Sequence, residues 1–209
     1  MYIVHYTVCP RKKKNWVYLH IRISKDSKYK NLKLTTLLCT LALMTSQLTF
    51  SQEFKKLDKS PMDVASFPSS YKISDKTVKV TYSRPQLKGR ALSKLAPAGK
   101  VWRTGANEAA QITFYKPMMA GKTLIKPGTY SLFTIPGEKE WTMIINSEIN
   151  LWGAYYYNQK YDVATMQATI TKGETEAFSI AFTEVDNGIQ MHLGWGPVIA
   201  TTNFTNVVK

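Results

Sequence analysis

The chain of 209 residues contains very little cysteine and histidine. Its two cysteines, Cys9 and Cys39, both lie before residue 52, and from Gln52 onward the one histidine is His192. Residues 52–209 therefore offer no disulfide framework, thiol nucleophile or thiolate metal site. A single imidazole is also too few for the usual zinc or copper sites, so we expect no metal and no cofactor.

Motifs of several common enzyme classes are missing as well. The sequence has no Gly-x-Ser-x-Gly elbow, no glycine-rich phosphate loop followed by Lys-Ser/Thr, and no Gly-x-Gly-x-x-Gly fingerprint. A serine–histidine triad would have to use His192. This residue alternates with Met191 and Leu193, so its ring is expected to point away from their apolar face, toward solvent.

The formal net charge of +14 is concentrated near the start of the chain. Nine of the 28 basic residues and one of the 14 acidic residues precede Gln52, so the net charge of residues 52–209 is +6. A charge of this size keeps a small domain soluble and does not by itself predict a nucleic-acid-binding protein. We expect no specific binding to nucleic acid.

Residues 28–51 have the order of a secretory signal peptide. Lys28, Lys30 and Lys33 precede an apolar run of eleven residues, 34–44, and a more polar segment leads to Ser51. The run is too short to cross about 30 Å of hydrocarbon as a helix. We expect export to the periplasm or the exterior, cleavage near Ser51–Gln52, and no membrane-spanning helix in the mature protein. Cys39 lacks the small preceding residue that lipidation requires.

Period-two alternation follows from residue 77 onward. Val78, Val80 and Tyr82 alternate with polar residues, and similar segments recur at 111–115, 129–135, 141–146, 152–157, 163–171, 176–184, 189–195 and 198–204. Turn signals such as Asn187–Gly188 separate them. The sequence predicts an all-β fold, an antiparallel β-sandwich or jelly-roll-like barrel of about ten short strands, with single helical turns at 91–96 and 104–110.

The expected organisation has three parts. Residues 1–51 are an upstream extension plus the signal peptide, residues 52–70 form an N-terminal arm, and residues 71–209 form a single β domain. Segment 130–135 is apolar on both faces, so it is predicted to be a central strand or to be covered by a second layer.

Polar chemistry concentrates in one stretch of the domain. The candidate ligand-binding residues are Arg84, Lys88, Arg90, Trp102, Arg103, Asn107 and Glu108. The cationic side chains donate charge-assisted hydrogen bonds to carboxylate, phosphate or sulfate, and Glu108 is the candidate general acid or base. The same residues also suit a structural network in which Arg103 pairs with Glu108 and Trp102 lies in the core. This second interpretation is the commoner outcome, and both stay open.

Aromatic residues form a second candidate set. The residues are Trp141, Trp152, Tyr155, Tyr156, Tyr157 and Tyr161. Exposed rings in an exported β protein would suit stacking on sugars, although core packing is the commoner role. Alternation predicts that at least one of residues 155–157 faces outward.

Several motifs occur in order along the domain. They are Thr81–Arg90, Gly99–Ala109, Pro127–Trp141 and Trp152–Tyr155. With them, residues 70–204 resemble a bacterial secreted family catalogued as domain of unknown function 2911. The resemblance implies a signal-bearing exported protein of Gram-negative bacteria, and it implies no activity, cofactor or catalytic residue.

The sequence therefore favours an exported, non-catalytic binding or envelope-associated module for an anionic or carbohydrate-like ligand. The alternative is a hydrolase or lyase that uses Glu108 as general acid or base with arginine stabilisation. Two-carboxylate hydrolysis needs a partner acid, and Asp75 or Asp162 would have to approach Glu108 through the fold.

Overall fold

The computed structural model of the protein describes residues 54–207. The predicted signal peptide, its cleavage site and the residues before it lie outside the described residues. The strands all belong to one compact unit, Lys56–Lys209. No helix in the described range is both long and apolar enough to span a membrane.

Nearly all regular structure between residues 54 and 207 is β. The strands are β1 (Met62–Phe67), β2 (Val78–Ser83), β3 (Ala110–Phe114), β4 (Met118–Ala120), β5 (Thr123–Ile125), β6 (Gly128–Ile135), β7 (Glu140–Asn146), β8 (Asp162–Val185) and β9 (Gly188–Asn206). A one-turn helix α1 spans Leu92–Leu95, and a 3-10 turn spans Gln159–Tyr161. The strands form one antiparallel sheet of order β1-β2-β3-β6-β7-β8-β9-β4-β5, whose end strands do not pair with each other.

The predicted all-β antiparallel fold is confirmed, whereas the strand lengths differ. The segments predicted at 163–171 and 176–184 form one 24-residue strand, β8, and those at 189–195 and 198–204 form the 19-residue β9. The register between β8 and β9 shifts on either side of Thr175. Gly173 therefore lies beside an irregularity inside a strand, where β-bulges bend a long strand without ending it.

Other local predictions had mixed outcomes. The helical turn expected at 91–96 is confirmed as α1, and Asp186–Asn187 forms the tight connection between β8 and β9. The turn expected at 104–110 is wrong, because this segment forms an irregular loop before β3. The strand expected at 152–157 is also wrong, since most of that segment forms turns. Strand β1 was not predicted; it lies in the predicted arm and pairs along its whole length with β2.

The main core is built around four aromatic rings. Trp102 stacks on Trp195 with ring centroids 5.2 Å apart, and it meets Trp141 and Phe178 edge-on at 6.1 and 5.0 Å. All four side chains are buried. Trp102, one of the candidate ligand-binding residues, is thus part of the core.

A second, smaller core lies on the other face of β6 and β7. Phe133 packs there with Ala109 and Ile144, and Tyr157 meets the Phe133 ring at a centroid distance of 5.1 Å. Leu132, the neighbour of Phe133, is buried in the main core. The prediction that residues 130–135 form a central strand or are covered by a second layer is therefore confirmed, since β6 lies inside the sheet and residues 151–157 help to cover its second face.

Candidate functional site

The first component of the candidate site is the arginine loop, residues 103–108, which leads into β3. Thr104 and Asn107 have φ values of 54° and 61°, a region that non-glycine residues rarely adopt. A Cβ on Gly105 would lie 2.9 Å from the carbonyl oxygen of Ser83, so only glycine fits at this close approach. The Thr104 hydroxyl lies 3.3 Å from that of Thr134, and both residues are fully buried. These contacts fix an unusual loop conformation, of the kind that ligand-binding loops often have.

The second component is the aromatic turn, residues 151–157, which lies antiparallel to the arginine loop. The Ala109 N–H donates to the carbonyl of Leu151 at 2.9 Å, and the Gly153 N–H donates to that of Asn107 at 3.1 Å. Between these two hydrogen bonds, Glu108 and Trp152 form an antiparallel bridge. The side chains of such paired residues lie on the same face, so those of Glu108 and Trp152 extend from the same side of this bridge.

The aromatic turn presents large rings to solvent. Trp152, Tyr155 and Tyr156 are 56, 79 and 68% exposed. Alternation called for at least one outward ring among residues 155–157, which is confirmed. Because these residues form turns and not a strand, two adjacent tyrosines face outward.

Tyr157 anchors the aromatic turn from inside. Its hydroxyl donates to Asp162 at 2.7 Å, and the Asn146 amide donates to the other carboxylate oxygen at 2.8 Å. Burial, and then the contact with Asp162, raises the pKa of Tyr157 well above its usual value. The exposed rings therefore extend from a turn that is tied to the arginine loop at one end and to the second core at the other.

Arg103 reaches from its loop to the aromatic turn. A Cβ built on Gly153 would lie 2.9 Å from the Tyr155 ring and 3.9 Å from Nη1 of Arg103, so guanidinium and ring flank this glycine. Within residues 54–207, Arg103 forms no ion pair, and its buried Nε–H has no acceptor. The expected pairing of Arg103 with Glu108 is absent from this described range.

Asn107 and Glu108 differ in their surroundings. Glu108 is exposed. Asn107 is half-buried, and its side-chain amide lies near the Asp58 carboxylate of the N-terminal arm. The Ser60 backbone N–H, and then this amide, lower the pKa of Asp58.

The remaining sequence-predicted residues lie elsewhere. Arg84 joins the β1–β2 end of the sheet to β8 through Asp63 and Ser179. Arg90 folds back onto the carbonyls of its own loop, and the Lys88 backbone N–H donates to Glu176 at 2.6 Å. Arg103, Asn107 and Glu108 thus share one loop, whereas Trp102 lies in the core. Arg84 and Lys88 contact β8, and Arg90 contacts its own loop.

Comparison with known proteins decides the family. The family model described as "protein of unknown function (DUF2911)" matches residues 60–204. The chain belongs to this family. No curated protein and no solved structure matches the chain significantly. Both the arginine loop and the aromatic turn lie inside the DUF2911 domain.

Two further observations complete the description of this DUF2911 domain. In the described range, no three His, Cys, Asp or Glu side chains are grouped so that they could hold a metal ion. A groove of about 340 Å³ has a mostly apolar lining that includes Leu92, Ala96, Pro136, Trp141 and Val198. This groove could not be predicted from the sequence, because its walls come from four separate segments.

Proposed function

We propose that the protein is an exported, non-catalytic binding module that takes a carbohydrate-like ligand on the aromatic turn and the arginine loop. The observation that carries the proposal is the exposure of three large aromatic rings, Trp152, Tyr155 and Tyr156, on one anchored turn. The sequence pattern of a signal peptide supports export, which would bring the site into contact with envelope or extracellular polysaccharides.

Clustered exposed aromatics are a mark of binding surfaces. Contiguous apolar patches on the surface of a soluble domain usually serve recognition, and Trp and Tyr are enriched there because their flat rings bury much area. The apolar C–H face of a pyranose matches such a ring. The phenol hydroxyls of Tyr155 and Tyr156 and the carboxylate of Glu108 are suited to hydrogen bonds with the sugar hydroxyls around it.

The anchoring of the turn favours tight binding. Ordering a loop when a ligand binds costs free energy, and a turn already held by main-chain hydrogen bonds avoids most of that cost. The bonds from Ala109 to Leu151 and from Gly153 to Asn107, together with the half-buried Tyr157, hold the turn in this way.

The surroundings of the two acids that the sequence offered as partners for Glu108 favour binding over hydrolysis. Asp75 forms an ion pair with Lys116 at 2.7 Å, and Asp162 accepts hydrogen bonds from Asn146 and Tyr157. Neither of the two acids considered as partners for Glu108 is therefore free to assist it in two-carboxylate chemistry.

The test is binding of the purified protein to a panel of soluble and insoluble polysaccharides. We expect retention on at least one glycan, and Trp152→Ala and Tyr155→Ala should each weaken it about tenfold or more, because each removes a stacking ring. Tyr71→Ala is the matched control, since Tyr71 is 90% exposed but lies in the β1–β2 connection, outside the site. Circular dichroism verifies that the variants fold.

Two results would contradict the proposal. One is that the wild-type protein binds no glycan of the panel. The other is that the Trp152 and Tyr155 variants bind as well as the wild type does.

A further inference from the structure

The apolar groove beside α1 has a lining that suits hydrocarbon. None of its lining residues belongs to the arginine loop or to the aromatic turn. Of the side chains that line it within residues 54–207, only those of Ser93 and Trp141 carry a hydrogen-bonding atom. Sugars, nucleotides and other polar ligands are oriented by several convergent polar groups, so this lining favours an apolar ligand.

One wall of the groove belongs to the core and is therefore rigid. Trp141 lines the groove, is almost fully buried, and meets the ring of Trp102 edge-on at 6.1 Å. The Gly99 N–H donates to the Pro136 carbonyl at 2.8 Å, which ties the segment after α1 to the turn between β6 and β7. A chain that enters the groove meets a surface that is already formed, so little free energy is lost in ordering the protein.

The size of the groove suits one hydrocarbon chain. Its volume of about 340 Å³ is near the lower end of the range of about 300–1,000 Å³ that is typical of small-molecule sites. Water in so apolar a space finds few hydrogen-bond partners, so an apolar group displaces it readily. The groove is therefore sized for a single acyl chain and not for both chains of a phospholipid.

Three exposed lysines lie on or beside the elements that form the groove. Lys94 is on α1, and Lys100 follows the segment that leads from α1. Lys172 pairs with Val198 of the lining across β8 and β9, so the two side chains extend from the same face. Within residues 54–207, none of these three lysines forms an ion pair.

The charges near the mouth of the groove give a positive balance. Lys139 joins the three lysines, and the acids of the adjoining residues are Glu138 and Glu174, so four positive and two negative charges leave +2. Glu140 is not among them, because it precedes Trp141 in β7 and successive side chains of a strand point to opposite faces. This balance favours an anionic head group over a cationic one.

We infer that the groove binds a single-chain anionic amphiphile, a free fatty acid whose acyl chain lies along Trp141 and whose carboxylate faces Lys94, Lys100 and Lys172. The site goes beyond the proposed function, since it shares no residue with the aromatic turn or the arginine loop. The hydrocarbon supplies most of the affinity and the lysines select the charge of the head group.

The first measurement is quenching of tryptophan fluorescence by ω-bromododecanoate, added to the purified protein below the critical micelle concentration. Bromine quenches only nearby indoles, and Trp141 is the tryptophan in the lining. Trp152→Phe is the background for all titrations, because it removes the exposed indole of the aromatic turn. We expect saturable quenching with a Kd of the order of 100 μM or below.

Displacement of this probe by unlabelled compounds tests the chain and the head group separately. The affinity of saturated fatty acids should rise about fourfold per buried methylene and level off once the groove is filled. Decanoate should bind about fivefold or more tightly than the neutral decanol, because only the acid carries a charge for the lysines.

A filled groove should not bind the probe. Ala98 lines the groove from an exposed position, so Ala98→Phe occupies the space without removing a core contact and should abolish quenching. Ala91→Phe is the matched control, since Ala91 is exposed on the same segment and is not part of the lining. Thermal melts verify that both variants fold.

Loss of the lysine charges should weaken binding of the acid alone. Joint replacement of Lys94, Lys100 and Lys172 by glutamine should reduce the affinity for decanoate about fivefold or more and leave that for decanol unchanged. The matched control removes three exposed lysines from other parts of the domain, Lys72, Lys122 and Lys126, and should bind both compounds as the wild type does.

Several results would overturn the inference. They are absence of quenching, unchanged binding by Ala98→Phe, equal affinity for decanoate and decanol, and equal losses in the two triple lysine variants. Binding to vesicles of anionic phospholipid without binding to monomeric fatty acid would identify a membrane surface as the ligand instead. Sedimentation of the wild type as a dimer that Ala98→Phe converts to a monomer would identify a second copy as the occupant, which would also overturn it.

Discussion

Replacement of Trp102 by alanine is the sharpest test of the core. The sequence left open whether this residue belongs to a ligand site or to the core, and the structure leaves it only 5% exposed. Its ring stacks on Trp195 and meets Trp141 and Phe178 edge-on. The substitution would remove the shared member of these three aromatic pairs and leave a cavity among them.

The expected loss of stability is large. Truncation of a buried tryptophan to alanine costs about 3–5 kcal/mol through lost transfer free energy and the residual cavity. The three aromatic pairs place Trp102 toward the upper end of that range, because each pair adds about 0.5–1.5 kcal/mol beyond area burial. For a domain of this size, about 2–4 °C of melting temperature is lost per kcal/mol, so the melting temperature should fall by roughly 6–20 °C.

Thermal melts followed by far-UV circular dichroism measure the effect, with Trp152→Ala as the matched control. Both variants exchange tryptophan for alanine, but Trp152 is more than half exposed, so its loss should change stability by no more than about 0.5 kcal/mol. Trp152→Ala should weaken ligand binding without destabilising the fold. Equal melting temperatures for Trp102→Ala and the wild type would refute the assignment of Trp102 to the core.

Two further predictions concern cleavage of the signal peptide and the pH dependence of stability. N-terminal sequencing of protein recovered from a periplasmic or culture fraction should begin near Gln52, and an intact Met1 terminus would contradict export by cleavage. Burial lowers the pKa of His192 below its usual 6.5, so the folded state binds fewer protons than the unfolded state. The free energy of unfolding should therefore fall as the pH drops below about 6.5, and His192→Gln should flatten this dependence in urea titrations at about pH 7.5 and pH 5. If the free energy of unfolding falls equally between the two pH values in the wild type and in His192→Gln, this interpretation of His192 is contradicted.

Alternation of apolar and polar residues was enough to predict most of the sheet. Val78, Val80 and Tyr82 alternate in the sequence and all lie in the core, and the turn at Asn187 joins β8 to β9 as predicted. The pattern failed between residues 171 and 176, where two predicted segments belong to one strand. Gly173 lies inside β8, and nothing in a single sequence separates an irregularity within a strand from a short loop.

The polar residues of the candidate site could be selected from the sequence, because they lie close together in it. Their hydrogen-bond partners could not, because those partners lie far away in the sequence. Arg84 and Arg103 look alike in the sequence. Arg84 directly follows a predicted strand, and Arg103 directly follows Trp102. What separates them is that Arg84 finds Phe178, 94 residues later, and Asp63, 21 residues earlier. Such long-range pairing depends on strand order, which composition and spacing do not specify.

The aromatic turn was misjudged as a strand for a physical reason. Tyrosine and tryptophan favour strands, so residues 152–157 satisfy β-propensity. Gly153 adopts φ +66°, and the hydrogen bond from Tyr157 to Asp162 fixes the end of the turn, so tertiary contacts override the local preference. Gly153, two residues before Tyr155, was the feature of the sequence that indicated an interruption of the strand.

The same turn contributes to the second core and carries the proposed binding surface, so packing of the core also holds the backbone from which the exposed rings extend. Tyr157 closes the core around Phe133, while Tyr155 and Tyr156, its immediate neighbours, face solvent. Movement of the backbone of the turn would have to disturb Tyr157, its hydrogen bond to Asp162 and the main-chain bonds to the arginine loop. Because that disturbance costs packing and hydrogen bonding at once, the backbone of the turn is held firmly against the arginine loop and the second core.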